Sequence, residues 1–286
     1  MSAKDPFEPS PVSEEMFLGV LREAVGALER VRVPALVMGG VASASLGRDR
    51  WTYDIDLFVF EKDARTALEA LAEVGFRTQE TYPDWLYKGI KREVLVDLIF
   101  RSRGEVVMDE EMVARARCEE FRGEPLRVLA PEDLLVTKVL AFTEETPRHW
   151  YDALGLIAAG GLDWTYLLRR CEGRERHVLS LLVYAQAEGL PVSDMAIRQL
   201  IARVYSPDDY LMARLQEAFA HDERTDELGI AASFGGGAVV LAGTVSTPQR
   251  REAVLAVARE VLDGRPLHDE ILVADLSEPI GTEDLT

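Results

Sequence analysis

Apolar residues first recur at helical spacing. Phe17, Val20, Leu21, Ala24 and Leu28 would share one face of a helix opened by Ser13, with Glu14 and Glu15 in its first turn. The period then changes. Ala35 to Met38 is a short apolar run, and Val41 to Leu46 is a small-residue stretch long enough for two helical turns. Asp54 to Phe60 reads as a strand. A helix is predicted over Lys62 to Val74, with Ala64, Ala67, Leu68 and Leu71 on one side and Gly75 as its stop. Phe76 to Glu80 reads as a strand, and Trp85 to Lys88 and Val94 to Phe100 as a hairpin around Gly89. Asp109 to Ala116 reads as a helix and Arg127 to Leu129 as a brief extended piece. Pro131, followed by Glu132 and Asp133, starts a helix that would bury Leu134, Leu135, Val139 and Leu140 and leave Lys138 at its edge. Another helix opens within Thr146 to Leu154, and helical pattern continues from Trp164 to Tyr205.

Turn chemistry at Ser206-Pro-Asp-Asp marks a boundary. Beyond it the pattern is a helix (Tyr210 to Ala220), two strands around a Gly235-Gly-Gly turn, a helix carrying Ala253, Val254, Val257 and Val261, and a last strand from Glu270. That order is αββαβ. The expected organisation is therefore a flexible arm (1–12), an α+β core with a mixed sheet and flanking helices (13–130), a helical subdomain (131–206), the small αββαβ domain (207–276) and a tail (277–286).

Composition narrows the function classes. The 286 residues are 48% hydrophobic and 29% charged, a globular balance. No apolar run approaches the length of a membrane span, so no membrane association is expected. The polar, Pro-rich start lacks the apolar centre of a signal peptide. Cys118 and Cys171 form no disulfide framework or metal-ligand spacing, which fits a reducing, cytoplasmic setting. The net charge of −18 argues against a broad basic surface for nonspecific nucleic-acid binding. It leaves room for a small basic pocket, for which Arg48, Arg50, Lys88, Lys91 and Arg92 are candidates.

The chemistry concentrates between Met38 and Val59. Gly39 and Gly40 allow backbone N–H groups to approach a ligand closely at a helix N-terminus suited to phosphate. Asp54 and Asp56 lie on one face of a strand, because strand side chains alternate. As hard oxygen ligands they suit Mg²⁺ or Mn²⁺ carrying a nucleoside triphosphate. Asp97 sits inside the apolar run Val94-Leu-Val-Asp-Leu-Ile-Phe100. Alone, it reads as a structural core Asp, satisfied by backbone donors or an arginine, as readily as it does a functional carboxylate. With Asp54 and Asp56 upstream, a shared metal explains its burial better.

Gly39-Gly40, with Asp54-x-Asp56 fourteen residues past Gly40 and Asp97 on a later strand, resembles the signature of the nucleotidyltransferase-fold superfamily. The chain looks most like its AbiEii-type branch, which includes toxins of type IV toxin–antitoxin pairs. That pattern places a Lys on one helix and a basic-then-Asp segment on the next, and Lys138, Arg148 and Asp152 follow the order. Without the resemblance, Lys138 reads as a solvated lysine and Asp152 as a helix-start aspartate. Residues from Asp208 to Asp275, through Val239-Val-Leu-Ala-Gly243-Thr-Val245 and His268-Asp-Glu-Ile-Leu-Val273, resemble a BON domain. BON domains are associated with phospholipid and ligand binding. The acidic character here points to protein contact, nucleotide contact or oligomerisation rather than membrane binding.

The resemblance implies a metal-dependent transferase that moves a nucleoside monophosphate to a hydroxyl on RNA (a tRNA end among them), protein or a small molecule, with an antitoxin as a possible partner. Asp54, Asp56 and Asp97 would hold the metal, and Asp97 would act as base or position the nucleophile. Gly39, Gly40 and Ser43 would cradle the phosphates, with Arg50, Thr52 and Arg148 as further nucleotide contacts. Lys138 and Asp152 complete the candidate catalytic set. The alternative is a nucleotide-sensing or scaffold protein acting through its BON-like domain.

Overall fold

The computed structural model describes residues 7, 12–205, 207–225, 229–235 and 237–274. The expected tail and all of the expected arm except Phe7 and Val12 lie outside them, as do the boundary residue Ser206 and the strand-start residue Leu228. The chain divides into two compact units, Met1–Ile201 and Ala202–Thr286.

In the first unit Ser13 caps α1 (Glu14–Arg30) by accepting from the Met16 N–H at 3.3 Å, and the helix buries the predicted apolar face. Then come β1 (Ala35–Val37), α2 (Gly39–Leu46), β2 (Asp54–Val59), α3 (Ala64–Glu73), β3 (Arg77–Tyr82), β4 (Leu86–Lys91), β5 (Val94–Ile99), α4 (Glu110–Arg115), β6 (Arg117–Phe121) and β7 (Glu124–Val128). The strands form one mixed sheet in the order β3-β4-β5-β2-β1-β7-β6. β2 runs parallel to β5 and β1 parallel to β7, while the other pairs are antiparallel. Val94, Leu95, Val96 and Leu98 are buried on both faces of β5, the near-continuous apolar run that a central strand requires.

The sheet departs from the sequence pattern in two places. Gly89 is not a turn residue but lies inside β4, paired with Val96. The strand reversal falls at Arg92-Glu93, both with positive φ (49° and 65°), the backbone of a two-residue turn matched to strand twist. Gly89 has a packing reason instead: a Cβ there would lie 3.1 Å from Leu71 Cδ1. The extended piece at Arg127 is the end of a full hairpin of β6 and β7. β6 was hidden because, as an edge strand, it exposes Arg117, Cys118 and Glu120 and shows no apolar alternation.

Helices complete the unit: α5 (Pro131–Ala141), α6 (Arg148–Ala159), α7 (Trp164–Arg170), α8 (Glu175–Ala187) and most of α9 (Asp194–Val204), which runs across the division at Ile201. α5 starts at Pro131 as predicted, but it is buried on every side from Pro131 to Leu140. Lys138 is therefore not on an exposed edge; it is 3% exposed.

The second unit has the predicted αββαβ order: α10 (Pro207–His221), β8 (Ile230–Gly235), β9 (Ala238–Val245), α11 (Pro248–Leu262) and β10 (Leu267–Val273). β9 is central, antiparallel to β8 and parallel to β10. Leu215, Phe219, Val239, Leu241, Val254, Val257 and Ile271 form its core. Gly243 is required there: its φ is +150° and a Cβ would lie 2.5 Å from the Gly229 carbonyl oxygen. Among the described residues no helix is long and apolar enough to cross a membrane. Cys118 and Cys171 are both free.

Candidate functional site

The site is built where β1 gives way to α2 beside β2. Gly39 opens α2 with φ +62°, and a Cβ on it would lie 1.7 Å from Asp56 Oδ2. A Cβ on Gly40 would lie 2.4 Å from Thr52 Oγ1. Both glycines are thus sterically required, one by the carboxylate and one by the loop leading to it. The Gly40 backbone N–H donates to Asp56, so one of the helix N-terminal donors is already engaged by a carboxyl oxygen.

Parallel pairing sets Asp56 of β2 directly opposite Asp97 of β5. Residues facing each other across a ladder point to the same side of the sheet, and Asp54 is two positions from Asp56. The three carboxylates therefore share one face. Lys88 of β4, opposite Asp97, extends the row. Thr52 donates to Asp54 Oδ1 at 2.6 Å. Asp97 Oδ1 is buried with no hydrogen-bond partner. Burial, together with the charges of Asp54 and Asp97, pushes Asp56 up to about 8 against Lys138 and the Gly40 N–H. Burial raises Asp97 to about 6, with Lys88 opposing and Asp54 adding. Among the described residues no three His, Cys, Asp or Glu side chains close on one point as a ready-made metal cage. The orphaned Asp97 oxygen and the mutual repulsion of the row nonetheless fit a divalent cation, whose remaining positions a ligand would supply.

Opposite the row stands a second constellation around Asp152 of α6, which is fully buried. Arg50 grips it with two hydrogen bonds, Nε to Oδ1 at 2.8 Å and NH2 to Oδ2 at 2.7 Å. Lys138 Nζ donates to Oδ2 at 2.9 Å and Arg48 to Oδ1 at 3.2 Å. Burial would raise the Asp152 carboxyl, but the Arg50 hydrogen bonds and the Lys138 charge outweigh it and hold it well below the usual range. Burial lowers Lys138, against the attraction of Asp152 and Asp56.

A cleft of about 620 Å³ brings most of the predicted residues together: Gly39, Gly40, Arg50, Thr52, Asp54, Asp56, Asp97, Lys138 and Arg148 line it. Asp152 lies behind Arg50 and Lys138. Ser43 does not line the cleft; it is buried, and its hydroxyl donates to the Gly39 carbonyl at 2.7 Å. The sequence reading did not single out His149 and Trp85, which also line it. Burial, reinforced by Lys138 and Arg148, lowers His149 to about 4, so it is neutral beside these cations. Its place two residues after Pro147, at the start of α6, was the available signal.

Among solved structures, the chain is similar to the antibiotic-resistance factor ANT(2″)-Ia, with 18% identity and a TM-score of 0.43 over 58% of this chain and 95% of that one. It is also similar to the lincosamide antibiotic adenylyltransferase LnuA in its lincomycin-bound form, with 13% identity and a TM-score of 0.39 over 53% of this chain and all of that one. A search of curated proteins finds no match. A family model described as nucleotidyl transferase of unknown function (DUF2204) matches residues 18–169, more than half of the chain, and the protein belongs to that family.

Proposed function

We propose that the protein is a divalent-metal-dependent nucleotidyltransferase that moves a nucleoside monophosphate from a nucleoside triphosphate to a hydroxyl acceptor. One observation carries this reading: Asp56 and Asp97 face each other across parallel strands, and Gly39 has no room for a side chain beside Asp56. Asp54, Asp56 and Asp97 would hold Mg²⁺ or Mn²⁺, which when bound offsets triphosphate charge and acidifies the acceptor hydroxyl. The Gly39 and Gly40 end of α2 receives phosphate oxygens. Arg50 and Lys138 balance the negative charge that develops on departing pyrophosphate. Asp97 takes the acceptor proton as the acceptor oxygen bonds to the α-phosphorus and the bond to pyrophosphate breaks.

Asp152 is a positioning residue in this scheme. Tied to three cations, it has no free lone pair directed at substrate, and it fixes Arg50 and Lys138 at the cleft wall. The direct Lys138–Asp152 contact supports treating the two as one unit, as the AbiEii-type pattern does. A toxin-like role and an antitoxin partner would follow from that pattern. The αββαβ order supports a BON-like reading of the second unit, in a protein-contact or oligomerisation role.

Melting curves with each nucleoside triphosphate, with and without Mg²⁺, test the proposal. Ligand at 100 times its Kd stabilises by about 2.7 kcal/mol. A Mg²⁺-dependent rise lost in Asp56→Asn, together with pyrophosphate release lost in Asp97→Asn, is the expected result. No rise with any nucleotide overturns the reading.

A further inference from the structure

The cleft is chemically two-sided. Arg50, whose NH2 would lie 3.3 Å from a Cβ on Gly40, and Lys138, joined to it through Asp152, line the side next to the Gly39-Gly40 turn, and Arg148 is a third cation of the lining. Across the carboxylate row, toward β4, the lining changes to Ile99, Leu86 and Trp85. Leu86 pairs with Ile99, two residues beyond Asp97 on the same face of β5. Trp85 is 40% exposed and stacks on Tyr82, 51% exposed, with ring centroids 5.1 Å apart and planes 12° apart. Tyr82 covers one face of the indole from outside the cleft lining, and Trp85 itself lines the cleft. Ser102 and Arg103 also line the cleft, and among the described residues no carboxylate beyond the row does.

Transfer to phosphorus proceeds with the attacking and leaving oxygens in line. If the cations mark where pyrophosphate departs, the acceptor enters from the far side of the row, over Asp97. Resting on the transferase reading, we infer that Trp85, backed by Tyr82, Leu86 and Ile99, is the acceptor platform, and that the acceptor is a small ring-bearing alcohol without positive charge. The ring face stacks on the Trp85 indole, which suits sugar or aromatic rings. Arg103 disfavours a polycationic acceptor, because no carboxylate is available there to pair with it. A polynucleotide would need a basic track leading away from the site, and this chain carries a net charge of −18. The balance is complete: the acceptor O–H loses its proton to Asp97, its oxygen bonds to the α-phosphorus, and pyrophosphate leaves with the electron pair of the broken bond.

The test incubates the full chain with Mg²⁺, each α-³²P-labelled nucleoside triphosphate and a cell extract separated into molecules under 1 kDa, RNA and protein. Nucleotide affinity is measured in parallel by thermal shift. The expected result is label on a small molecule other than free monophosphate. Its rate should fall at least tenfold in Trp85→Ala and be restored to within about threefold by Trp85→Phe, with nucleotide affinity unchanged within twofold. Label on RNA or protein overturns the inference. So does an unaltered rate in Trp85→Ala, a tenfold loss of nucleotide affinity in it (which would make Trp85 a base platform), or no labelled product from a chain that binds nucleotide. A chain that binds no nucleotide refutes the transferase reading instead, and the acceptor assignment with it.

Discussion

Removing the Asp152 carboxylate tests how the cationic wall is held. Asp152→Ala leaves Lys138, 3% exposed, buried without the carboxylate it donates to, and releases Arg50 from a two-point grip. Breaking a buried pair by deleting one partner costs about 3–5 kcal/mol. In a unit of this size each kcal/mol moves Tm by about 2–4 °C, so a fall of about 6–20 °C is expected. The reverse deletion is milder. After Lys138→Met, Arg48 and Arg50 still neutralise Asp152 and the burial penalty of the ammonium is gone, so the loss should stay under about 2 kcal/mol. Thermal melts and urea titrations of both variants and the double variant, without metal or nucleotide, give the comparison. pH adds a second axis. A carboxylate held below its unfolded pKa supplies stability that is present above about pH 4 and lost as pH falls further, so the advantage of wild type over Asp152→Asn should shrink below about pH 4. The reasoning fails if Lys138→Met costs as much as Asp152→Ala, or if Asp152→Ala lowers Tm by less than about 2 °C.

Other outcomes follow from the same geometry. Gly39→Ala places a Cβ on Asp56 Oδ2, so Mg²⁺-dependent nucleotide binding should drop about 100-fold or more with an unchanged far-UV circular dichroism spectrum; retained binding would show that the turn can yield. Asp133 has the opposite pH sign to Asp152. Burial raises it to about 6 despite Arg170 and Tyr166, so its contribution is full below about pH 4 and lost as pH rises through 6; the stability difference between wild type and Asp133→Asn should move toward wild type by up to about 3 kcal/mol from pH 7 to pH 4, and a flat difference refutes this. Glu93→Gly relieves a left-handed non-glycine residue (φ 65°) in the β4–β5 turn and should stabilise by about 0.5–1 kcal/mol in urea unfolding; a loss of stability would mean the Glu93 side chain contributes more than its backbone conformation costs.

The parts of this molecule that were legible in the sequence are those governed by local rules. Strand alternation placed Asp54 and Asp56 on one side, Ser13 and Pro131 marked helix starts, and the αββαβ order followed from period and turns. What escaped depends on partners far along the chain. Lys138 entered the candidate set only through the family resemblance; by residue type alone it resembled a surface lysine, because Asp152, its reason for burial, lies on the next helix. Gly89 resembled a turn because its true constraint, Leu71, comes from α3. The hydroxyl of Ser43, a plausible phosphate donor, is taken by the carbonyl one turn earlier, a local competition that composition does not resolve. β6 shows how an exposed edge strand of charged residues leaves no apolar trace.

The pairing of β2 with β5 has a consequence for how the chain matures. The carboxylate row straddles a parallel seam whose strands are joined through α3, β3 and β4, so half of the row cannot exist as half of a site. Local hairpins such as β4–β5 form early and cheaply in loop entropy, whereas parallel closure across intervening elements comes late. The carboxylate row is therefore complete only once this parallel pairing has closed, and the pairing of β1 with β7 spans a still longer stretch of chain. A nascent chain with its hairpins and helices but without this pairing has an open row; on the transferase function proposed above it would not bind metal–nucleotide, so ligand capture would report completed folding of this seam.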